Sequence, residues 1–281
     1  MEISVGLPTT VPGVNGPALV EFARRADRLG FAGLGAVDRL VYDNYESLVA
    51  LAAAAAVTER IRLATTVLLA GYRGSPALLA KQLATLDHLS GGRLVVGLAA
   101  GDREDDFAAA GAPFRSRGRL LDAAVEEMRA AWAAGSVGPR PPRGLPPLLF
   151  GGHSAAAMRR AARLGEGWIA GGGSATGYAE LVARARAVWD EHGRTGRLRV
   201  VSLCYVSLGP GGAAAAGDYL RRYYSWIGPK AEQLASQVVA DGGRLREVVA
   251  GYAEAGCDEL LLFPCVADPC QADLIAGAVM R

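Results

Sequence analysis

The chain has 281 residues, 30 lysines and arginines against 28 aspartates and glutamates, and a formal net charge of +2 at pH 7. It is 51% hydrophobic and only 7% aromatic, which allows a core that needs no disulfide or metal staple and suits helices packed on a parallel sheet. With no concentrated basic face, no block of like charge and no apolar run long enough to span a bilayer, the expectation is no nucleic acid, no membrane and a cytoplasmic address.

Residues 3–8 read as a short strand ended by Pro8, entered without the basic and apolar regions of a leader. Pro17 suits the first turn of a helix over 18–29, and Gly30 stops it. A second strand over 33–37 leads into Asp38 and Arg39, then a loop with Tyr42 and Tyr45 and a helix over 46–58. Residues 61–69 form a third strand, 76–89 a helix opened by Pro76, and 93–98 a fourth strand. An acidic loop, 102–106, precedes a helix over 118–134. The proline-rich segment 135–147 is the one composition break, read as a surface connection in preference to a linker. Strands at 148–150 and 167–170 follow, with a helix from Ala155 to Leu164 between them, and then a helix over 178–192. A seventh strand over 198–208, a helical region over 213–249 interrupted at Gly228-Pro229, an eighth strand over 258–264 and a last helix opened by Pro269 complete the chain.

Eight apolar strands, each followed by a helix, spell a (β/α)8 TIM barrel as one domain over residues 1–281; a doubly wound open sheet is the alternative with the same rhythm. Four cysteines without a CxxC pair and three histidines give no metal set, and the thiols read as buried and reduced.

Gly151-Gly152-His153-Ser154 links a strand to a helix. Glycines let the backbone come close to a bulky anion, and Ser154 stands where an N-cap belongs, before free amides and the positive end of the helix. The other reading is an ordinary turn that uses glycine for its shape. A second cluster, Gly171-Gly172-Gly173, ends the next strand, so adjacent loops would share one phosphate or nucleotide. Active sites of such barrels lie at the C-terminal ends of the strands. That rule selects Asp38 and Arg39, Thr65 and Thr66, Gly101 and Asp102, and Tyr205. Asp38 and Asp102 are the catalytic candidates, since a carboxylate beside an apolar flat ligand has a raised pKa and can relay a proton. The alternative is that Asp38 caps its loop and that Asp102, Glu104, Asp105 and Asp106 form a solvated face, the reading preferred for Asp105 and Asp106. Tyr42, Tyr45 and Tyr72 would stack on a flat ligand; Tyr223, Tyr224 and Trp226 read as packing residues or a lid.

Thr65-Thr66-Val67-Leu68-Leu69, the run 79–94, the run 111–119, the two glycine turns with Gly165-Glu166-Gly167-Trp168-Ile169, and the run 252–259 together resemble the luciferase-like monooxygenase superfamily of FMN- or F420-dependent oxidoreductases. The resemblance implies a bacterial-luciferase-like barrel with the cofactor in its mouth and a non-proline cis peptide in a bulge of strand three, here Thr66–Val67. It implies Thr65, Thr66, Val67 and Gly101 near the ring, and Gly151, Gly152, His153 and Ser154 under the phosphate with Gly171, Gly172 and Gly173 beside them. A homodimer, a small-molecule substrate, and a flavin reductase or F420 reductase as electron source belong to the same expectation. Asp38-Arg39 stands where several relatives carry a histidine, which argues against a true luciferase and against sugar-phosphate oxidation. A non-catalytic flavin-binding barrel and a phosphosugar enzyme on the same barrel are the competing expectations.

Overall fold

The computed structural model describes residues 1–171 and 173–280. Eight parallel strands close into one barrel in sequence order: β1 (Glu2–Gly6), β2 (Gly33–Ala36), β3 (Arg62–Leu68), β4 (Leu94–Leu98), β5 (Leu148–Gly151), β6 (Gly167–Gly171), β7 (Arg199–Val206) and β8 (Glu259–Pro264). The final pairing of β1 with β8, from Glu2 opposite Glu259 to Val5 opposite Leu262, excludes the open sheet. The helices are α1 (Gly16–Leu29), α2 (Ser47–Ala55), α3 (Pro76–Leu89), α4 (Glu104–Ala109), α5 (Arg117–Ala133), α6 (Ala155–Leu164), α7 (Ala175–Glu191), α8 (Gly212–Tyr223), α9 (Lys230–Ser236), α10 (Gly242–Glu254) and α11 (Gln271–Val279). Among the described residues no helix is long and apolar enough to cross a membrane.

Local signals set these boundaries. Asn15 accepts the Ala18 N–H at 2.9 Å to cap α1, and Gly30 ends it at φ +83°. Ser75, Ser154, Ser174 and Asp241 cap α3, α6, α7 and α10 in the same way. Two readings of the sequence need correction. The acidic loop after β4 becomes helical at Glu104, because three carboxylates in the first turn of α4 favour a helix start. The region 213–249 is three helices, because Gly228 takes φ +63° before Pro229 and Asp241 starts a new cap. The proline-rich segment runs from α5 to β5 as an exposed connection, and the barrel continues past it.

Apolar residues fill both sides of the sheet. Between sheet and helices lie Phe22, Phe150, Trp168 and Tyr178, all nearly inaccessible. Inside the ring are Val95, Leu149, Ile169, Val201, Leu261 and Phe263. Their packing leaves a cavity of about 10 Å³ within the barrel, no more than a water needs. At the floor, Glu259 is 5% exposed and bonds to Ser4 and Arg199. A closed floor and a filled interior leave the upper rim, at the C-terminal strand ends, for a ligand.

Candidate functional site at the barrel mouth

The pairing register of β3 on β4 shifts between Thr65 and Leu68, and the Thr66–Val67 peptide is cis, at the bond the resemblance singled out. Thr65 Oγ1 donates to Gly97 O at 2.8 Å. That close approach is possible because residue 97 has no side chain: a Cβ there would stand 2.3 Å from Thr65 O. Thr66 is 5% exposed, and its Oγ1 is buried with no hydrogen-bond partner. Val67 reaches the interior cluster with Phe263 and Tyr205, and also the cluster of Leu69, Tyr72 and Phe107.

Asp38 lies under this bulge, 6% exposed. It accepts from Leu69 N at 2.9 Å, Ser47 Oγ at 3.1 Å, Tyr72 Oη at 3.1 Å and Arg73 Nη2 at 2.7 Å. Burial works against the Arg73 charge, but Asp38 and Glu46 more than offset it and raise its pKa. Burial also drives the Tyr72 phenol upward, with Asp38 adding to the effect. Tyr72 is therefore part of the support and not a free stacking face. Four donors on one carboxylate make Asp38 the anchor of the chain that leaves β3.

Arg39 turns the other way. Its Nε donates to Asp106 Oδ2 at 3.0 Å and its Nη2 to Val41 O at 2.9 Å, while Nη1 is buried without a partner. The guanidinium lies 5.4 Å from the Tyr42 ring and 5.6 Å from the Tyr223 ring. The 38–39 corner thus pairs with the acids after β4 through Arg39 and Asp106. Asp106 is 0% exposed, which overturns its reading as a solvated residue: α4 turns it inward, where it also takes the Leu40 and Val41 amides at 3.1 and 2.6 Å. Asp105 stays partly exposed and pairs with Arg103.

Gly101 adopts φ +80° between Leu69 and Phe107, with its carbonyl held by Arg117 Nε at 2.9 Å. Asp102 keeps surface on solvent, yet the protein around it desolvates the carboxyl and raises its pKa, against the pull of Arg103, Arg117 and Arg39.

The turn after β5 is fixed to β6. Gly152 takes φ +127°; its amide donates to Ile169 O at 3.1 Å and its carbonyl accepts from Trp168 Nε1 at 2.8 Å. His153 Nε2 meets Gly171 O at 3.0 Å, so the two glycine turns are tied directly. Gly173, at φ +92°, is exposed and has open space where a Cβ would stand. Gly172 lies outside the described residues. Ser154 Oγ accepts from Ala157 N at 3.2 Å and Ser154 O from Met158 N at 3.1 Å, which leaves the amides of Ala155 and Ala156 without a helical acceptor. His153 and Ser154 are exposed.

Gly151 has a different job from its neighbours. A Cβ there would be 2.9 Å from Val67 Cγ1. The glycine lets the β3 bulge and the β5 turn touch, so one ligand can reach both. A buried hydroxyl without a partner on the bulge and free amides at the turn fit a flat polar ring with an anionic tail. Sequence reasoning named the aromatic residues of the opposite wall one by one but not their pairing. Tyr205 and Tyr224 share a 2.7 Å bond between phenols, and Tyr219 shares one of 2.7 Å with Thr10. Of the four thiols, Cys257 and Cys265 are buried, but Cys270 is exposed because it sits at the start of α11.

The family profile described as luciferase-like monooxygenase matches residues 1–256. An uncharacterized protein of Mycobacterium tuberculosis strain H37Rv, Rv0940c, is 34% identical over 174 residues, 56% of this chain and 59% of that protein. The F420-dependent glucose-6-phosphate dehydrogenase of Amycolatopsis mediterranei is 29% identical over 128 residues, 42% of this chain and 38% of the dehydrogenase. The chain thus spans less than two thirds of the curated relatives it matches. Among solved structures, an F420-dependent secondary alcohol dehydrogenase in complex with an F420-acetone adduct superposes with a TM-score of 0.81 at 17% identity, covering 99% of this chain and 98% of that one. The monooxygenase RslO1 from Streptomyces bottropensis gives 0.77 at 23% identity, covering 100% and 99%. These two likenesses are likenesses of fold.

Proposed function

The chain belongs to the luciferase-like monooxygenase family, whose members use FMN or coenzyme F420, and on that premise we propose that it is an oxidoreductase acting on a small organic substrate with one of these cofactors. When bound in its reduced form, such a cofactor supplies a hydride, or an activated oxygen atom if it reacts with dioxygen. The close approach of Val67 to Gly151 is the observation that supports the reading most directly, because it sets the β3 ledge against the glycine turn.

Thr65, Thr66 and Val67 form the ledge in this reading, with Gly101 at its side. The Ser154 hydroxyl and the amides that open α6 hold the phosphate, with His153, Gly171 and Gly173 beside it, while Gly151 and Gly152 shape the turn that sets it against the ledge. Gly172 joins them by its place in the sequence. Asp102 sits where a raised carboxyl exchanges a proton between mouth and solvent. Asp38 positions the ledge through Leu69 and Tyr72 and does not itself meet the substrate. A flavin or F420 reductase as electron source, a homodimer, a single domain over the whole chain and a cytoplasmic address complete the proposal.

Its test is a fluorescence titration with FMN and with F420, each beside glucose 6-phosphate as a plain phosphosugar. Saturable binding of either cofactor is the expected result. Binding of the sugar phosphate with none of either cofactor would transfer the site to phosphosugar chemistry.

A further inference from the structure

We propose that the Tyr205–Tyr224 phenol pair is the hydrogen-bond donor that receives the substrate's oxygen, and that the substrate is therefore a small planar carbonyl compound or the alcohol related to it. This inference rests on the cofactor reading above and adds the residue that faces the reacting atom.

The first support is position. In the closed ring β7 stands opposite β3. Tyr205 lies near the upper end of β7, paired in register with Phe263, and packs into the same interior cluster as Val67. Ledge and phenol therefore belong to opposite strands of the ring and meet the same cluster at its top. Tyr205 keeps part of its surface accessible, as does Tyr224.

The second support is a proton count. Two phenols carry two O–H groups, and their mutual bond at 2.7 Å uses one. The other remains for a third acceptor. Burial raises both phenols: Tyr205 well above its ordinary range, Tyr224 to about 12. Around Tyr224 stand Asp102, Cys265 and Arg39, and around Tyr205 the phenols of Tyr219 and Tyr223. The pair stays protonated at neutral pH and acts as a donor, suited to an oxygen on which negative charge builds. Tyr223 packs edge-on against Tyr224 with ring centroids 4.9 Å apart, and Phe263 lies 6.2 Å from Tyr205, so aromatic walls favour a flat molecule. Among the described residues no histidine stands at this rim except His153, whose Nε2 meets Gly171 O.

The probe is 4-dimethylaminobenzaldehyde, whose absorption moves to the red when its carbonyl oxygen accepts a strong hydrogen bond. It is titrated into the whole protein, alone and with bound cofactor, in the wild type and in Tyr205→Phe and Tyr224→Phe. The expected result is a red-shifted band in the wild type. Tyr205→Phe loses the shift and binds the aldehyde roughly tenfold more weakly, as loss of one good hydrogen bond implies. Tyr224→Phe gives an intermediate shift, and both variants keep wild-type cofactor affinity. An unchanged band in Tyr205→Phe, or loss of cofactor affinity together with the shift, would overturn the inference. Cofactor binding without any wild-type shift sinks the phenol site alone. A shift without binding of either cofactor keeps the oxygen-receiving pair and sinks the flavin reading.

Discussion

Arg39 Nε and Asp106 Oδ2 meet at 3.0 Å with side chains 5% and 0% exposed, joining the corner after β2 to the helix after β4. The Arg39 guanidinium also lies against the Tyr42 and Tyr223 rings, so the rim at β2, β4 and β7 is held at one point. Removing one partner of such a pair leaves an uncompensated buried charge, at a cost of roughly 3–5 kcal/mol. Asp106→Ala also strands the Leu40 and Val41 amides. We expect it to fall in that range by urea denaturation and to expose the 40–45 loop to proteolysis. A loss below about 1 kcal/mol, the scale of a surface pair, would show that the contact does not hold the rim.

Much of this was legible from residue types. Alternating apolar runs and helix signals gave eight βα units because Pro17, Gly30, Pro76 and Ser154 act locally. The ledge came from likeness to a family, since nothing in Thr-Thr-Val by itself states where a register shifts. Asp106 escaped detection for a physical reason. Four acidic residues in the run 102–106 look alike in sequence, and only the turn of a short helix decides which faces inward. The Tyr205–Tyr224 bond was hidden likewise, because it joins a strand to a residue beyond the next helix.

Gly151 and Ser154 sit in one motif but serve different parts of a ligand, and phosphate-free cofactors separate them. Gly151→Ala puts a Cβ 2.9 Å from Val67 Cγ1, too close to stand, so Val67 must move, the ring is disturbed, and riboflavin and FMN should weaken by the same factor. Ser154→Ala removes a hydroxyl whose oxygen only accepts in the cap and whose proton is free for an anion. We expect FMN to lose roughly tenfold or more, as for a charge-assisted bond, while riboflavin is nearly unchanged. The cap itself costs about 1 kcal/mol in stability. For an F420 protein the same comparison uses the deazaflavin without its phosphate. Equal losses for both ligands in Ser154→Ala would remove the phosphate role.

Asp102 gives a pH signature. Its folded pKa is raised, by burial first, above the value near 3.9 expected in the unfolded chain. Between the two values the folded protein holds the extra proton, so stability falls as pH rises through that window and is level above it. Asp102→Asn cannot titrate there. The urea midpoint of the wild type should therefore decline relative to the variant across the acid range, with the difference constant by neutral pH. A parallel pair of profiles would mean that the carboxyl titrates as it does in solution.

Thr66 offers the sharpest conflict between stability and binding. Its hydroxyl is buried in the ledge without a partner, and an unsatisfied buried polar group costs about 1–3 kcal/mol. Gly35 stands beneath it, with space so limited that a Cβ there would be 3.0 Å from Thr66 Oγ1. Valine has the same shape without the hydroxyl. Thr66→Val should therefore raise the thermal midpoint of the ligand-free protein while weakening riboflavin or the deazaflavin core, because the ring's polar edge loses the group that waits for it. The two effects have opposite signs, so no general loosening of the barrel can imitate them. If the variant melts lower and binds the ring as tightly as the wild type, the hydroxyl serves the fold and the ledge recognises its ligand by shape alone.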